Sequence, residues 1–466
     1  MDTGSRTICD PAGWAKEQWG RVDLGDKRLN CRAVRIGAAM AAHADESLPR
    51  QMGSEAALQG AYNLLNDRRL TLDKLAQPHW ENTRRLAGER RVVLFIQDTT
   101  ELNYTHHRSK EGLGPVGDGK GRGVLLHTTL AVTPGEAPEV LGVAHQQTVL
   151  RQPKGNPRPK YTGSPEGQVW GQGAEAVGDA PDGVLWVHVG DGGSDDFRFM
   201  HHCRGKHFLL RVTHNRLLDW DGDTEIEPEM SKLRDYARAL PCAHRFTLQV
   251  SAGPKRPARV AQMRLAWGEV TIPAPAQAPA PWCHQPTIHA WVLHTWEEEA
   301  PPGAEALEWI LLTSVPTTTV NEALERTHWY TNRWLVEDYH QCLKTGCRIE
   351  HTRLDHRDDI DRLLAFCGPI AAALLQLRQA ARLTPEAPAE QQVDPLVVQI
   401  LARKLHWPTT PTVTAHRFWY GVAQLGGFFG RKRGSLPGWQ CLWHGWRYLQ
   451  DLVAGARLYA AESARQ

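Results

Sequence analysis

Two short apolar runs, each leading into an aspartate, limit this chain more than any other feature. Val92-Val-Leu-Phe-Ile96 runs into Gln97-Asp98, and Val184-Leu-Trp-Val-His-Val189 runs into Gly190-Asp191. Continuous apolar runs of this length, bounded by polar residues, read as strands buried on both faces. Such strands need helices to cover them, so the chain reads as α/β. The carboxyl end of a buried strand is where α/β sheets keep their sites, which makes Asp98 and Asp191 candidate functional residues. An Asp in that position can also be no more than a cap. Ser194 or Asp195 could cap a helix over 196–203, and Asp195 could instead support the site from behind Asp191. Further strands are expected at 124–132 and 140–150 around a turn at 133–138, at 207–213 with Arg211 near its end, and at 309–314.

A third acidic candidate sits on a helix. Over 330–344 the sequence reads Tyr330-Thr-Asn-Arg333-Trp-Leu-Val-Glu337-Asp-Tyr-His-Gln-Cys-Leu-Lys344. At about 100° per residue, Tyr330, Arg333, Glu337 and Lys344 fall within about 60° of one another on a single helix. That helix is expected to be capped near Asn321 and closed by Gly346. A lone Glu on a helix is ordinarily a solvated surface residue. Arg, Lys and Tyr are the groups that grip phosphate oxygens, and a carboxylate held among them points to a metal ion working on a phosphodiester.

Composition narrows the remaining classes. The 466 residues suffice for two or three domains, and a net charge of +2 means that any polyanion surface must come from local clusters. One such cluster is Lys27, Arg28, Arg32 and Arg35, on a helical N-terminal segment with apolar spacing at 34–42 and 56–65. Nine Cys without a CxxC pair fit a reducing compartment and argue against a disulfide framework or structural zinc. The first residues lack an apolar leader, and no stretch of 18 apolar residues is apparent, so no membrane role is expected. Gly114-Pro-Val-Gly-Asp-Gly119-Lys120 has phosphate-loop spacing, but Gly121 replaces the required Ser or Thr and a strand follows, so it reads as a flexible loop with no nucleotide cofactor. Residues 217–305 are polar, then β-rich, then a Pro/Ala tract at 273–281, then β-rich again. They read as an insertion before the sheet resumes at 309. Residues 383–392 read as a linker.

The spacing Y-(2)-R-(3)-E-(6)-K resembles the signature of bacterial cut-and-paste DDE transposases, in the insertion-sequence branch that excises DNA through hairpin ends. Leu24-Gly-Asp-Lys-Arg28 with Gly53-Ser-Glu-Ala-Ala-Leu-Gln-Gly-Ala-Tyr62 is similar to that family's end-recognition segment. Leu425-Gly-Gly-Phe-Phe429, Lys432-Arg433 and Leu442-Trp443-His-Gly-Trp446 are similar to its C-terminal domain. Gly192 and Gly193 depart from the family, which has bulkier residues after the second Asp. The resemblance implies an RNase H-like catalytic domain over 76–384 with the β insertion at 217–305. It also implies a helical end-recognition domain over 1–75 and a helical dimerisation domain over 385–466.

It further implies that Asp98, Asp191 and Glu337 bind two Mg²⁺ ions, with Mn²⁺ as a substitute, and that Asp98 bridges them. Tyr330, Arg333, Lys344 and Arg211 would hold bent DNA phosphates, while Trp309 and Trp334 would be candidates to receive an extruded base. Lys27, Arg28 and Arg32 would contact the ends. The implied protein is a cytoplasmic, nucleoid-associated bacterial enzyme that acts on double-stranded DNA as a homodimer. Its expected activity is excision at terminal inverted repeats followed by joining of the 3′ ends to target DNA. An RNase H-like nuclease, or a catalytically silent DNA-binding relative, stays open at this point.

Overall fold

The computed structural model describes residues 8–135, 137–151, 165–219, 231–250, 258–275, 287–408, 412–430 and 437–463. The chain begins with helices α1 (Pro11–Trp19), α2 (Lys27–Ala42), α3 (Leu48–Met52), α4 (Glu55–Leu65) and α5 (Leu72–Gly88). The side chains of Asp10, Asp26, Ser54 and Thr71 cap four of these by accepting a backbone N–H, which satisfies donors otherwise left orphaned. Helices α1 and α2 approach closely because position 37 is glycine: a Cβ there would stand 2.4 Å from the Trp19 ring. Trp19 is fully buried and also packs on Phe366 at 5.3 Å.

The first buried run forms β1 (Val92–Asn103), followed by β2 (Gly114–Val116), β3 (Gly121–Thr133), β4 (Glu139–Val149), α6 (Pro165–Val177) and β5 (Leu185–Gly190). Next come α7 (Phe197–His202), β6 (His207–Arg211), α8 (Leu233–Ala239), β7 (His244–Val250), β8 (Arg259–Pro273), β9 (Thr287–Glu297) and β10 (Glu308–Thr313). All ten strands form one sheet in the order β2-β3-β1-β5-β6-β10-β9-β8-β7, with β4 also on β3. The β1–β5 and β5–β6 pairs are parallel, and the others are antiparallel. This is a mixed α/β architecture with a helical N-terminal region.

The β-rich block expected as an insertion is continuous with this sheet, because β9 pairs with β10 along the whole of Glu308–Thr313. The expected flexible loop over 114–120 is instead a small hairpin, with β2 paired to the start of β3. Its turn uses Gly117 and Gly119 at φ of 62° and 96°, which an L side chain rarely adopts.

Helices α9 (Val320–Thr331) and α10 (Trp334–Gln341) lead to a π-helical turn at Cys342–Gly346 and then to α11 (Arg357–Leu383). An 18-residue window of α11 is apolar enough to cross a membrane, contrary to the expectation that no such stretch exists. The reason is burial: 89% of that window lies inside the protein, as the central core helix. Arg362 on α11 is buried and donates to the carbonyls of Leu65 and Leu70, which ties the N-terminal helices to the core.

The chain ends with α12 (Pro395–Lys404), α13 (Ala415–Leu425) and α14 (Trp439–Ser463). Trp439, Trp443 and Trp446, whose three and four spacing reads as intrachain core and which the resemblance offered as a dimer contact as well, are buried within this one chain. Trp446 packs on Trp419 at 5.6 Å, and Trp443 Nε1 donates to Asp45 Oδ1 at 3.4 Å. Exposed large apolar groups at this end, among the described residues, are Phe429, Tyr448, Leu458 and Tyr459. Lys432, Arg433 and part of the Pro/Ala tract lie outside the described residues.

Candidate active site

Strand register brings the two aspartates level. In the parallel β1–β5 pair the last partners are Ile96 and Val189, and Asp98 and Asp191 each follow two residues later. Neighbouring strands lie about 4.8 Å apart, so these carboxylates emerge side by side where the two strands part. Asp98 does not terminate β1 as expected. The strand continues to Asn103, because β3 still pairs it on the other side, with Thr128 opposite Asp98. Asp191 accepts from Gly193 N at 2.8 Å and so caps the turn at Gly192–Ser194. The helix that follows, α7, is capped by Asp196, which accepts from Arg198 N at 2.8 Å; Ser194 and Asp195 do not cap it.

The stretch at 330–344 is not the single helix expected. Its start is set by a capping box between Thr319 and Glu322, which brackets Asn321 as expected. It breaks at Asn332, whose side chain donates back to His328 O at 3.0 Å. From there three-residue hydrogen bonds (Asn332 N to Trp329 O, Arg333 N to Tyr330 O, Leu335 N to Asn332 O) tighten the turn. A π turn then closes the segment, with Cys347 N bonded to Cys342 O at 2.9 Å. These two irregularities interrupt the expected helix at Asn332 and again at Cys342–Gly346. Tyr330 is 5% exposed and packs edge-on to Trp309 at 6.0 Å. Arg333 and Glu337 form an ion pair at 2.8 Å, and Lys344 is half-buried in the π turn.

Helix α10 packs on β1 and carries Glu337 toward the aspartates. The consequence is visible at Asp98. Burial pushes its carboxyl up to about 6, and the charge of Asp191 and, more weakly, that of Glu337 push the same way. The Thr99 N–H, which donates to Asp98 Oδ1 at 2.8 Å, and the Arg333 guanidinium oppose the shift. The Asp98 carboxyl therefore feels both other candidate acids. Beside them lies a cavity of about 430 Å³ lined by Asp191, Gly192, Arg211, Val212, Thr213, Arg234, Tyr330 and Arg333.

The other expected contacts are distributed as follows. Trp309 is half-buried in β10, whereas Trp334 is 52% exposed with the Arg333 guanidinium 4.7 Å above its ring. Lys27, Arg28 and Arg32 lie on the first turns of α2, away from this cavity. Lys27 and Arg28 are exposed, and Arg32 is half-buried against Gly60 of α4.

Sequence reading missed a layer of neutral histidines under Asp98. Thr99 Oγ1 bonds His127 Nδ1 at 2.8 Å, His127 Nε2 bonds Gln97 Oε1 at 2.9 Å, and Gln97 Nε2 bonds His188 Nδ1 at 3.2 Å. The amide fixes both tautomers: Gln97 donates to His188 and accepts from His127, so His127 accepts from Thr99. His340 Nδ1 is 3.9 Å from Asp98 Oδ2, and its Nε2 is 3.3 Å from Thr128 Oγ1. The one available signal was the position of His340, three residues after Glu337. Arg234 was missed because it lies in a polar stretch without periodicity.

A hard divalent cation suits this donor set in chemistry, since it is made of oxygen and one carboxyl is raised by burial and by its neighbours' charge. Among the described residues, however, no three acidic, His or Cys side chains are gathered as a closed metal cage. One oxygen of Glu337 is engaged by Arg333.

Carboxylates and arginines lie at this cavity and an exposed indole beside Arg333, side-chain types that contact phosphate oxygens and stacked bases in nucleic-acid sites. Consistent with that class, residues 11–70 match the protein-family model described as transposase DNA-binding. The match covers α1 to α4 and includes Lys27, Arg28 and Arg32. It supports a transposase that binds DNA through an N-terminal domain.

Proposed function

We propose that this protein is a DDE transposase of the insertion-sequence branch, cutting and rejoining DNA with Asp98, Asp191 and Glu337 on an RNase H-like sheet. The observation that carries the reading is the register that sets Asp98 and Asp191 level where the parallel β1–β5 pairing ends, with α10 and its Glu337 packed on β1 beside them. The transposase DNA-binding match over residues 11–70 supplies the substrate class.

In this reading Asp98, Asp191 and Glu337 hold two Mg²⁺ ions, for which Mn²⁺ substitutes. When bound, such ions polarise the scissile phosphate and lower the pKa of an attacking water. The chain's own groups do the remainder. Arg333 and Tyr330, with Arg211 across the cavity, hold strand phosphates in register with the carboxylates, because guanidiniums offer fork geometry to phosphate oxygens. Lys344 adds a point charge from the π turn. Trp334 is the better-exposed platform for an extruded base, and Trp309 supports Tyr330. Lys27, Arg28 and Arg32 bind the inverted ends. Nicking, hairpin formation, hairpin opening and joining of the 3′ ends to target would follow at the same carboxylates, within a synaptic homodimer.

The test uses DNA flanking the gene, incubated with protein and Mg²⁺ and run on native and denaturing gels. Fragments that double in strand length on denaturation are hairpins and support excision by this route. Nicks or open ends alone support an RNase H-like nuclease. Bound but uncut ends support a silent DNA-binding relative.

A further inference from the structure

We infer that Arg234 contacts a DNA phosphate as the third arginine of the cavity, and that a buried clamp on Asp195 positions it there. The inference rests on the reading of the cavity as a DNA-strand site.

The cavity is lined by Arg211, Arg234, Arg333 and Tyr330, with Asp191 as the one acidic residue of its lining. Glu337 offsets Arg333 through their ion pair. The side chains of Arg211 and Arg234 have no hydrogen-bond or ion-pair partner among the described residues, although both line the cavity. Two unneutralised guanidiniums on one small space repel each other unless an anion sits between them. A phosphodiester oxygen pair is the anion whose geometry a guanidinium fork matches.

Arg234 is also placed, not merely nearby. Its backbone N donates to Asn215 Oδ1 at 2.9 Å, and Asn215 Nδ2 donates to Asp235 Oδ2 at 2.9 Å. Leu233 N donates to Arg216 O at 2.9 Å, and Leu233 is fully buried. Arg216 in turn donates from Nη1 to Asp195 Oδ1 at 2.6 Å and from Nη2 to Asp195 O at 2.9 Å. The other oxygen of Asp195 accepts from Thr213 N and His214 N, both at 2.7 Å. The Asp195 side chain is 0% exposed and lies four residues after Asp191. One turn therefore fixes both a candidate catalytic carboxylate and, through Arg216 and Asn215, the segment that carries Arg234. Preorganised donors of this kind favour the charge that develops during phosphoryl transfer.

The experiment uses the full-length protein and a duplex bearing the element's inverted end, with single phosphates neutralised one at a time as methylphosphonates. Wild-type cleavage should slow at a small set of positions. Arg234→Ala should cut roughly tenfold more slowly and should be indifferent to neutralisation at one of those positions, while Arg234→Lys recovers part of the sensitivity. Asp195→Asn should lose the same coupling with its melting temperature matched to wild type by added osmolyte. If Arg234→Ala responds to every neutralised phosphate as wild type does, Arg234 contacts none and the inference is overturned. If the wild type does not cut, the proposed function fails on its own. The scan is then read in binding affinity: coupling of Arg234 to one phosphate upholds the contact, and no coupling removes it.

Discussion

Arg333 Nη2 lies 2.8 Å from Glu337 Oε1 across the first turn of α10, so the residue best placed to grip a phosphate also holds a candidate catalytic acid. The pair makes Arg333 more than a charge. Arg333→Ala should reduce single-turnover cleavage on the order of a hundredfold, and Arg333→Lys should restore only part of it because the planar fork is lost. End binding, measured by mobility shift, should change little. A Lys variant with full activity would show that the fork is not used.

Asp98 should be a source of stored instability. Its folded pKa of about 6 exceeds its ordinary value of 3.8, so its contribution to stability is present below the ordinary value and lost as pH rises through about 6. Without divalent cations, Asp98→Asn should therefore raise stability by roughly 1–3 kcal/mol at pH 7.5, and the gain should fade toward pH 4. Thermal melts at the two pH values decide it. No stabilisation at pH 7.5 would mean that the carboxyl is not strained by its neighbours.

The same protonation makes cation binding visible. Asp98 must lose its proton to ligate, so Mg²⁺ uptake below about pH 6 should release protons. Calorimetry in buffers of different ionisation enthalpy reads that release directly, and Asp98→Asn should abolish it.

Acid should unfold the protein through its buried histidines. Burial holds His79, His127, His188 and His340 down to about 3, and His145 to about 4. These folded values lie below the unfolded 6.5, so stability is complete above 6.5 and falls as the unfolded chain takes up protons below it. The loss should be roughly 1.4 kcal/mol per group per pH unit. His127→Gln should flatten the dependence between pH 6 and 4.5 in urea titrations. An unchanged slope would mean that His127 titrates while folded.

Lys27 is exposed at the start of α2, inside the matched segment. Lys27→Ala should weaken end binding and reduce the slope of log affinity against log salt by about one.

The parts of the site legible in the sequence were those set by local pattern. The apolar runs before Asp98 and Asp191 located both strands, and register alone then placed the acids level. The i,i+4 spacing of Arg333 and Glu337 gave their ion pair. What failed depended on departures from ideal geometry. Asn332 bonding back to His328 O interrupted the expected helix, and Cys342–Gly346 closed it as a π turn. The Trp439, Trp443 and Trp446 spacing signalled a packed intrachain face but not which residues it packs on. Asp195 was legible as a possible support for the site, but its partner Arg216 and the residue Arg234 were not, because their contacts join residues about 20 positions apart without a repeating pattern.

The central claim is that Glu337 acts together with Asp98 and Asp191. The most direct measurement compares wild type and Glu337→Gln for Mg²⁺-dependent strand cleavage and for end binding on the same DNA. The account predicts unchanged binding and a cleavage rate reduced to background. Retained cleavage by Glu337→Gln, at the wild-type rate and with the same Mg²⁺ dependence, would contradict it.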